Sequence, residues 1–246
     1  FDFDRIIIET TGLADPAPIL QTLVSDTLLE AQFRFDGLVT LVDGVNLPDQ
    51  LKTLKEPEKQ LAIADRIYIT KTDLIKTDQM DDVIQLIRNI NPSSPIKQIV
   101  YGNIEPNELM GIGLTSTKAS EKTLTFLGEN QSQLSEKYLG DFANRHSSNI
   151  KTETLRFKTP FTWEAFSSAL DLLSNLRGPD LLRMKGIINV SGQPVVVQGV
   201  QHIFHPPVHL KDWPSEDHDS RMVFITRHIE AQLIRNLFDT VRLLNH

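Results

Sequence analysis

Two groups of residues in the first third of the sequence have types and spacing suited to phosphate and nucleotide chemistry. The first runs from Glu9 to Gly12, directly after the apolar residues 6–8. A carboxylate at this position can hold Mg²⁺ through a water, and a glycine three residues later lets its N–H approach a phosphate without a Cβ in the way. An ordinary turn with a solvated Glu9 remains the alternative for this motif alone, with Thr10 and Thr11 capping the turn.

The second group is the run from Thr70 to Asp73, which follows the apolar residues 67–69. A carboxylate at Asp73 can accept two N–H groups from the edge of guanine, while the methylene stem of Lys71 covers the base plane. Adenine presents an acceptor where guanine has a ring N–H, so this pairing favours guanine. The tetrapeptide by itself is weak evidence for nucleotide binding. However, the order of the two groups along the chain and their separation of about 60 residues are those that a GTPase needs.

The elements that must position these residues alternate between strand and helix. The apolar patterns predict strands at 5–8, 37–43, 66–69 and 95–100, and helices at 18–29, 57–64 and 78–89. This alternation is typical of an α/β fold with a doubly wound parallel sheet. In such sheets ligands bind at the carboxyl ends of the strands, which here carry Glu9, Asp43, Asp73 and residues 101–103.

The rest of the chain predicts a separate, smaller unit. Residues 116–150 lose the apolar period, which indicates a linker. The patterns that follow predict a strand, a helix, two strands joined at Ser191-Gly192-Gln193, another strand and a closing helix. We therefore expect the partial α/β domain to occupy residues 1–115 and a smaller α+β domain to occupy residues 151–246.

The composition argues against several classes of partner. The chain has 25 Lys+Arg against 32 Asp+Glu, which gives a net charge of −7. This composition lacks the excess of positive charge with which proteins bind nucleic acid or an anionic membrane. It has no cysteine, so a thiolate metal site cannot lie within these residues. Without an apolar run long enough to span a bilayer, we expect a cytoplasmic protein that binds neither nucleic acid nor membrane.

Polar residues of the second unit favour structural roles. His202, His205 and His209 could suggest a zinc site, but positions three apart point to opposite faces of a strand, and Pro206-Pro207 indicates a loop. We expect exposed or locally bonded imidazoles rather than a metal site. Arg183, Lys185 and Gln198 fall within predicted strands. We expect them to help pack this unit or dock it on the first one.

Several strings together resemble the CobW-type branch of the metal-handling GTPases related to HypB and UreG. They are E-T-T-G-L-A-D-P, L-V-D-G, A-D-R-I-Y-I-T-K-T-D-L and I-R-N-I-N-P in the first unit, with L-L-R-M-K-G, V-V-V-Q-G-V-Q and M-V-F-I-T-R in the second. The resemblance implies Glu9 as the acid on the Mg²⁺ side and Gly12 as the phosphate-contacting glycine. It also implies guanine recognition by Lys71 and Asp73, with Thr70 where Asn or Ser is more common.

The sequence departs from this family in two respects. It contains neither a phosphate-binding loop of the type G-x-x-G-x-G-K-[ST] nor a C-x-C-C metal motif. In the family both would precede the position of Phe1, so we expect an N-terminally truncated P-loop GTPase. The 246 residues alone are then expected to bind GTP poorly, since the backbone N–H nest and the loop lysine supply most of the phosphate affinity.

The resemblance implies a GTP-hydrolysing metallochaperone that uses Mg²⁺ and delivers zinc or cobalt to a client metalloprotein. Catalysis would involve Glu9 and Gly12, and nucleotide binding Thr70, Lys71 and Asp73. Three alternatives stay open: a cobalamin-biosynthesis GTPase with cobalt as cargo, an ATP-using relative, and a nucleotide-free interaction module. The sequence also leaves open whether the protein forms a homo-oligomer.

Overall fold

The structure, a computed structural model, describes residues 3–112 and 150–244. The predicted linker at 116–150 lies outside these residues except for Ile150. Within the described ranges, no helix combines the length and the apolar character needed to cross a membrane.

The first unit is a parallel sheet with helices around it. The strands pair in the order β1-β2-β3, and both pairings are parallel. Its elements in chain order are α1 (Ala17–Ser25), α2 (Thr27–Gln32), β1 (Val39–Asp43), α3 (Leu47–Thr53), α4 (Glu56–Ile63), β2 (Arg66–Thr70), α5 (Thr77–Ile90) and β3 (Ile96–Gln98). The predicted α/β class with a parallel sheet is confirmed.

The predicted first strand, at residues 5–8, is wrong. These residues belong to neither sheet of the described chain, and the Ile7 side chain is 82% exposed. A continuous apolar run becomes a buried strand only when another strand pairs with it and a second layer covers it. β1 is the edge strand of its sheet, and among the described residues no strand pairs with residues 5–8.

The predicted helix at 18–29 is two helices. Asp26 separates them, and its Oδ1 accepts hydrogen bonds from the N–H groups of Leu28 at 2.9 Å and Leu29 at 3.0 Å. This side-chain cap satisfies free donors at the start of α2, so the chain bends at Asp26 at little cost. The structure also adds α3, which begins with Pro48 in its first turn.

The second unit is an antiparallel sheet with two helices, as predicted for an α+β domain. The strands pair in the order β4-β9-β5-β6-β7, and β8 also pairs with β6. Its elements are β4 (Ile150–Phe157), α6 (Trp163–Arg177), β5 (Leu181–Val190), β6 (Gln193–Val200), β7 (Ile203–Phe204), β8 (Val208–His209), β9 (Ser220–Arg227) and α7 (Ala231–Leu244). The predicted hairpin turn is present, with Ser191 and Gly192 both at positive φ.

Two large apolar cores hold these elements. One lies within the second unit and includes Phe157, Phe166, Phe224 and Phe238. The other joins the units, since the end of α4 and strand β2 pack with buried side chains of the second sheet. Its members from the second unit are Ile150, Leu182, Val200, Ile203 and Ile225. The second unit is therefore packed firmly against the first rather than tethered to it.

Candidate functional site

The carboxyl ends of β1 and β2 are fastened to each other. The Thr70 hydroxyl donates to the Val42 carbonyl at 2.9 Å, and the Gly44 N–H donates to the Thr70 carbonyl at 3.2 Å. A Cβ on Gly44 would lie 2.7 Å from Cγ2 of Ile69, so only glycine allows this approach. Thr70 thus joins the two strand ends through its hydroxyl and its carbonyl.

The loop after β2 presents two of the predicted nucleotide-binding residues. Lys71 has φ +57°, a left-handed conformation, and directly precedes a single 3₁₀ turn at Thr72–Leu74 that contains the exposed Asp73. The Thr72 hydroxyl donates to the Ile99 carbonyl at 3.3 Å, which fixes the loop to the segment after β3. Left-handed conformations cost energy for residues other than glycine and are often found at functional sites.

Asp43, at the end of β1, accepts hydrogen bonds from the turn that follows it and from Lys71. Its Oδ1 accepts from the N–H groups of Val45 at 3.1 Å and Asn46 at 3.2 Å. Its Oδ2 accepts from Nδ2 of Asn46 at 2.8 Å and from Nζ of Lys71 at 2.7 Å. Partial burial opposes ionisation, but the bonds from Lys71 and Asn46 outweigh it and lower the pKa of Asp43. The carboxylate is therefore ionised at neutral pH.

Glu9 and Gly12 lie on a separate segment that is held by α4. Nε2 of Gln60 donates to the carbonyls of Gly12 at 3.0 Å and Ala14 at 2.9 Å, and Lys59 pairs with Asp15. A Cβ on Gly12 would meet nothing within 4 Å, so the chain's own packing does not demand glycine there. Among the residues that the structure describes, no hydrogen bond or ion pair joins the exposed Glu9 to the loop after β2.

The Gln60 and Lys59 contacts could not be anticipated from the sequence. These two residues belong to α4 and lie more than 40 positions from the segment that they hold. Their types are ordinary for an exposed helix face, and only the packing of α4 beside this segment gives them partners. The structure thus shows that Lys59 and Gln60 fasten the segment that contains Gly12 to α4.

The third strand end carries an exposed aromatic side chain. Tyr101 is 94% exposed at φ +51°, and Gly102 follows at φ +69°. The Asn103 N–H donates to the Val100 carbonyl at 2.9 Å, which closes a tight turn. Two successive positive φ values are typical of a type I′ turn. Tyr101 is therefore held out into solvent at the same sheet edge as Lys71.

A buried ionic cluster joins the two units near the start of β2, at the opposite end of that strand from the Lys71 loop. Asp65 forms an ion pair with Arg183 and another with Lys185 at 3.0 Å, and all three side chains are 2–3% exposed. Arg183 also donates to Oε1 of Gln198 at 2.9 Å and to the Gly199 carbonyl at 3.1 Å. Arg183, Lys185 and Gln198 therefore dock and pack this unit, as the sequence predicted.

The electrostatics of this cluster favour the ionised carboxylate. Burial opposes ionisation of Asp65, but Arg183 and Lys185, together with the Leu38 N–H, hold its pKa at about 2. Burial and the Arg183 charge lower the pKa of Lys185 to about 8, although Asp65 acts in the opposite direction. The cluster places two cations against one carboxylate, and burying these charges costs free energy because buried ions lose their hydration.

His205 departs from the prediction of an exposed or locally bonded imidazole. Its ring stacks on Phe35 of the first unit with centroids 5.1 Å apart, and its Nε2 is buried without a hydrogen-bond partner in the described structure. Burial and the Arg183 charge lower the pKa of His205 to about 4, with Asp65 opposing. Among the described residues, no group of three or more His, Asp or Glu side chains is arranged to hold a metal ion.

We expect His205 to make stability depend on pH between 6.5 and about 4. In this window the unfolded chain binds a proton at His205 and the folded chain does not, so the free energy of unfolding falls as the pH falls. Asp65 titrates below this window and Lys185 above it. In thermal unfolding measured across the window, His205→Phe keeps the stacked ring and should flatten the profile by up to about 1.4 kcal/mol per pH unit.

The matched control for this experiment is His202→Gln, because His202 is exposed and its ring has no hydrogen bond or stacking contact in the described structure. This variant should retain the wild-type dependence on pH. Equal slopes for wild type and His205→Phe would show that His205 is not the titrating group.

Comparison with known families covers both units. Residues 1–98 match the CobW/HypB/UreG nucleotide-binding domain, and residues 150–242 match the cobalamin synthesis protein cobW C-terminal domain. The first match contains the segment from Glu9 to Gly12 and the loop from Thr70 to Asp73. The second contains Arg183, Lys185 and His205 of the interface.

The names of individual relatives refer to zinc. The chain is 29% identical over 242 residues to the zinc chaperone YjiA of Escherichia coli, an alignment that covers 98% of this chain and 71% of YjiA. It is 29% identical over 223 residues to zinc-regulated GTPase metalloprotein activator 1 of Schizosaccharomyces pombe, covering 82% of this chain and 54% of that protein. The chain therefore spans between about half and three quarters of the length of these relatives.

The fold also matches a solved structure. The crystal structure of Zn(II)-bound YjiA GTPase from E. coli superposes with a TM-score of 0.75 at 26% sequence identity. The match covers 98% of this chain and 72% of the YjiA chain. The α/β sheet and the antiparallel unit therefore both have counterparts in that GTPase.

Proposed function

This chain belongs to the CobW/HypB/UreG family, and we propose that it acts in a GTP-hydrolysing metallochaperone that delivers a transition metal to a client protein. One observation carries the proposal: Lys71 and Asp73 share a single loop after a buried parallel strand, at the carboxyl edge of the sheet. Nucleotides bind at this edge in open α/β sheets. The names of the zinc chaperone and the zinc-regulated activator support zinc as the cargo.

In this proposal four of the predicted site residues have distinct roles. Asp73 accepts the two N–H groups of guanine, and the stem of Lys71 lies against the base. The Gly12 N–H binds the terminal phosphate, where the space for a Cβ is open. Glu9 offers an exposed carboxylate, the oxygen ligand that Mg²⁺ prefers, and Mg²⁺ would supply charge neutralisation on the phosphates.

The domain limits, the cargo and the client belong to the same proposal. We assign residues 1–115 to the GTPase domain, 116–150 to a linker and 151–246 to the C-terminal domain. A client metalloprotein in the cytoplasm would receive the metal when hydrolysis moves the segment that begins at Glu9. The similarity of residues 150–242 to the C-terminal domain of a cobalamin synthesis protein favours a second candidate, in which the cargo is cobalt for cobalamin assembly.

A GTPase assay of the full-length protein tests this proposal. Zinc and cobalt are titrated separately and in competition, with ATP as the nucleotide control. We expect GTP turnover that depends on Mg²⁺ and responds to zinc at lower free concentration than to cobalt. Absence of GTP turnover would contradict the enzyme, turnover with a response to cobalt alone would favour the second candidate, and equal use of ATP would contradict guanine selectivity.

Glu9→Gln should lower turnover of the full-length protein far more than it weakens GTP binding. The amide keeps the shape of Glu9 but loses the charge that holds a metal ion, so we expect kcat to fall by roughly 10²-fold while Kd for GTP changes less than about threefold. The matched control is Glu105→Gln, a change at an exposed glutamate that lies in neither segment. Equal kcat for wild type and Glu9→Gln would remove Glu9 from the mechanism.

A further inference from the structure

Asp43 links the end of β1 to the loop that presents Lys71. Its carboxylate receives four hydrogen bonds, three from Val45 and Asn46 and one from Nζ of Lys71 at 2.7 Å. The Asp43 side chain is only 19% exposed, whereas that of Lys71 is 52% exposed. The lysine is therefore anchored at its charged end while much of the side chain stays open to solvent.

A lysine side chain has four flexible methylene groups, and ordering it costs up to about 2 kcal/mol. If the charged end is already held, the methylene stem has fewer arrangements to lose when a flat ligand packs against it. The backbone of Lys71 is also fixed, at φ +57° between the Thr70 contacts and the 3₁₀ turn. Anchoring at both ends leaves the stem as a preformed surface.

We propose that Asp43 is a positioning residue for guanine binding, which holds Nζ of Lys71 so that the lysine stem is preformed to cover the base. This inference rests on the proposed GTPase function. Asp43 does not touch the nucleotide in this arrangement and acts through Lys71. Its three other hydrogen bonds fix the carboxylate itself, because they tie it to the turn that enters α3.

The substitution that isolates this role is Asp43→Asn. An asparagine keeps a carbonyl oxygen that can accept from the Val45 and Asn46 N–H groups, so the turn is retained. It loses the negative charge that anchors Lys71. In the full-length protein we expect Asp43→Asn to raise Kd for a fluorescent GTP analogue and KM for GTP about fivefold, the size of a partly exposed ion pair. The kcat at saturating GTP should change less than about twofold, since the phosphate end of the site is not involved.

A double-mutant cycle with Lys71→Met tests whether the effect passes through Lys71. In the Lys71→Met background, Asp43→Asn should change Kd less than about 1.5-fold, because the lysine that it positions is gone. The control is Asp49→Asn, which removes the carboxylate of another Asp–Lys pair, at 2.9 Å from Lys52 on neighbouring α3. It should leave GTP affinity and the melting temperature unchanged.

Each result has one meaning. An equal loss of affinity in both backgrounds, or a fall in kcat that matches the rise in KM, would overturn the positioning role in favour of a general structural one. Wild-type affinity in Asp43→Asn would overturn it as well, while the proposed function would stand. Wild-type protein that binds no guanine nucleotide would overturn the proposed function and this inference together.

Discussion

Replacing Asp65 by alanine is expected to lower the free energy of unfolding by about 3–5 kcal/mol. The change removes the carboxylate that pairs with the guanidinium of Arg183 and the ammonium of Lys185, both of which are 2–3% exposed. It also removes the acceptor for the Leu38 N–H. Removing one member of a buried ion pair is among the most destabilising changes that a single substitution can make.

Urea unfolding, followed by tryptophan fluorescence and circular dichroism, measures this effect. Both tryptophans of this sequence lie in the second unit, so their fluorescence reports on the unfolding of the unit that contains Arg183 and Lys185. The control is Asp49→Ala, which breaks an exposed ion pair and should cost less than about 0.5 kcal/mol. An equal loss in the two variants would contradict the role of the buried charges.

A triple replacement separates charge from packing at the same position. Asp65→Leu combined with Arg183→Met and Lys185→Met removes all three charges while keeping apolar volume. Because apolar replacement of a whole buried ion cluster is often neutral, the triple variant should recover most of the stability that Asp65→Ala loses. A triple variant as unstable as Asp65→Ala would indicate that hydrogen bonding and shape, rather than charge balance, hold the units together.

Asp73→Asn is expected to weaken GTP binding by roughly 100-fold and to abolish most of the preference for GTP over ATP. A carboxylate can accept both guanine N–H groups, whereas an amide places a donor opposite one of them and leaves a buried polar clash. A 100-fold change corresponds to about 2.7 kcal/mol. Competition of GTP and ATP against a fluorescent GTP analogue on the full-length protein measures both quantities.

The binding of XTP gives this experiment its specific readout. Xanthine carries a carbonyl oxygen where guanine has its amino group, so the amide donor that Asp73→Asn introduces should favour it. The control Asp78→Asn removes an exposed carboxylate from the first turn of α5 and should leave the GTP preference intact. Unchanged selectivity in Asp73→Asn would remove Asp73 from guanine recognition.

Much of the fold was predictable because it depends on local patterns. Strands β1 and β2 and helix α5 follow from apolar periodicity that is complete within each segment. The place of the loop that contains Lys71 and Asp73 also follows from the sequence, since this loop comes directly after the predicted strand β2. Residues 5–8 show the limit, because their pattern is typical of a buried strand and yet Ile7 is 82% exposed. Apolar periodicity indicates which side chains of a segment can be buried, and pairing with another strand decides whether they are buried.

The order of residues along the chain determines the α/β and α+β classes and the family resemblance. It also places Lys71 and Asp73 in one loop. Which side chains meet depends on the folded arrangement. Asp43 and Lys71 are 28 positions apart, and Asp65 and Arg183 are 118 apart. Periodicity and turn chemistry act over a few residues, whereas an ion pair depends on the path of the whole chain between its members. The partners of Asp43 and Asp65 were therefore set by the packing of strands and units.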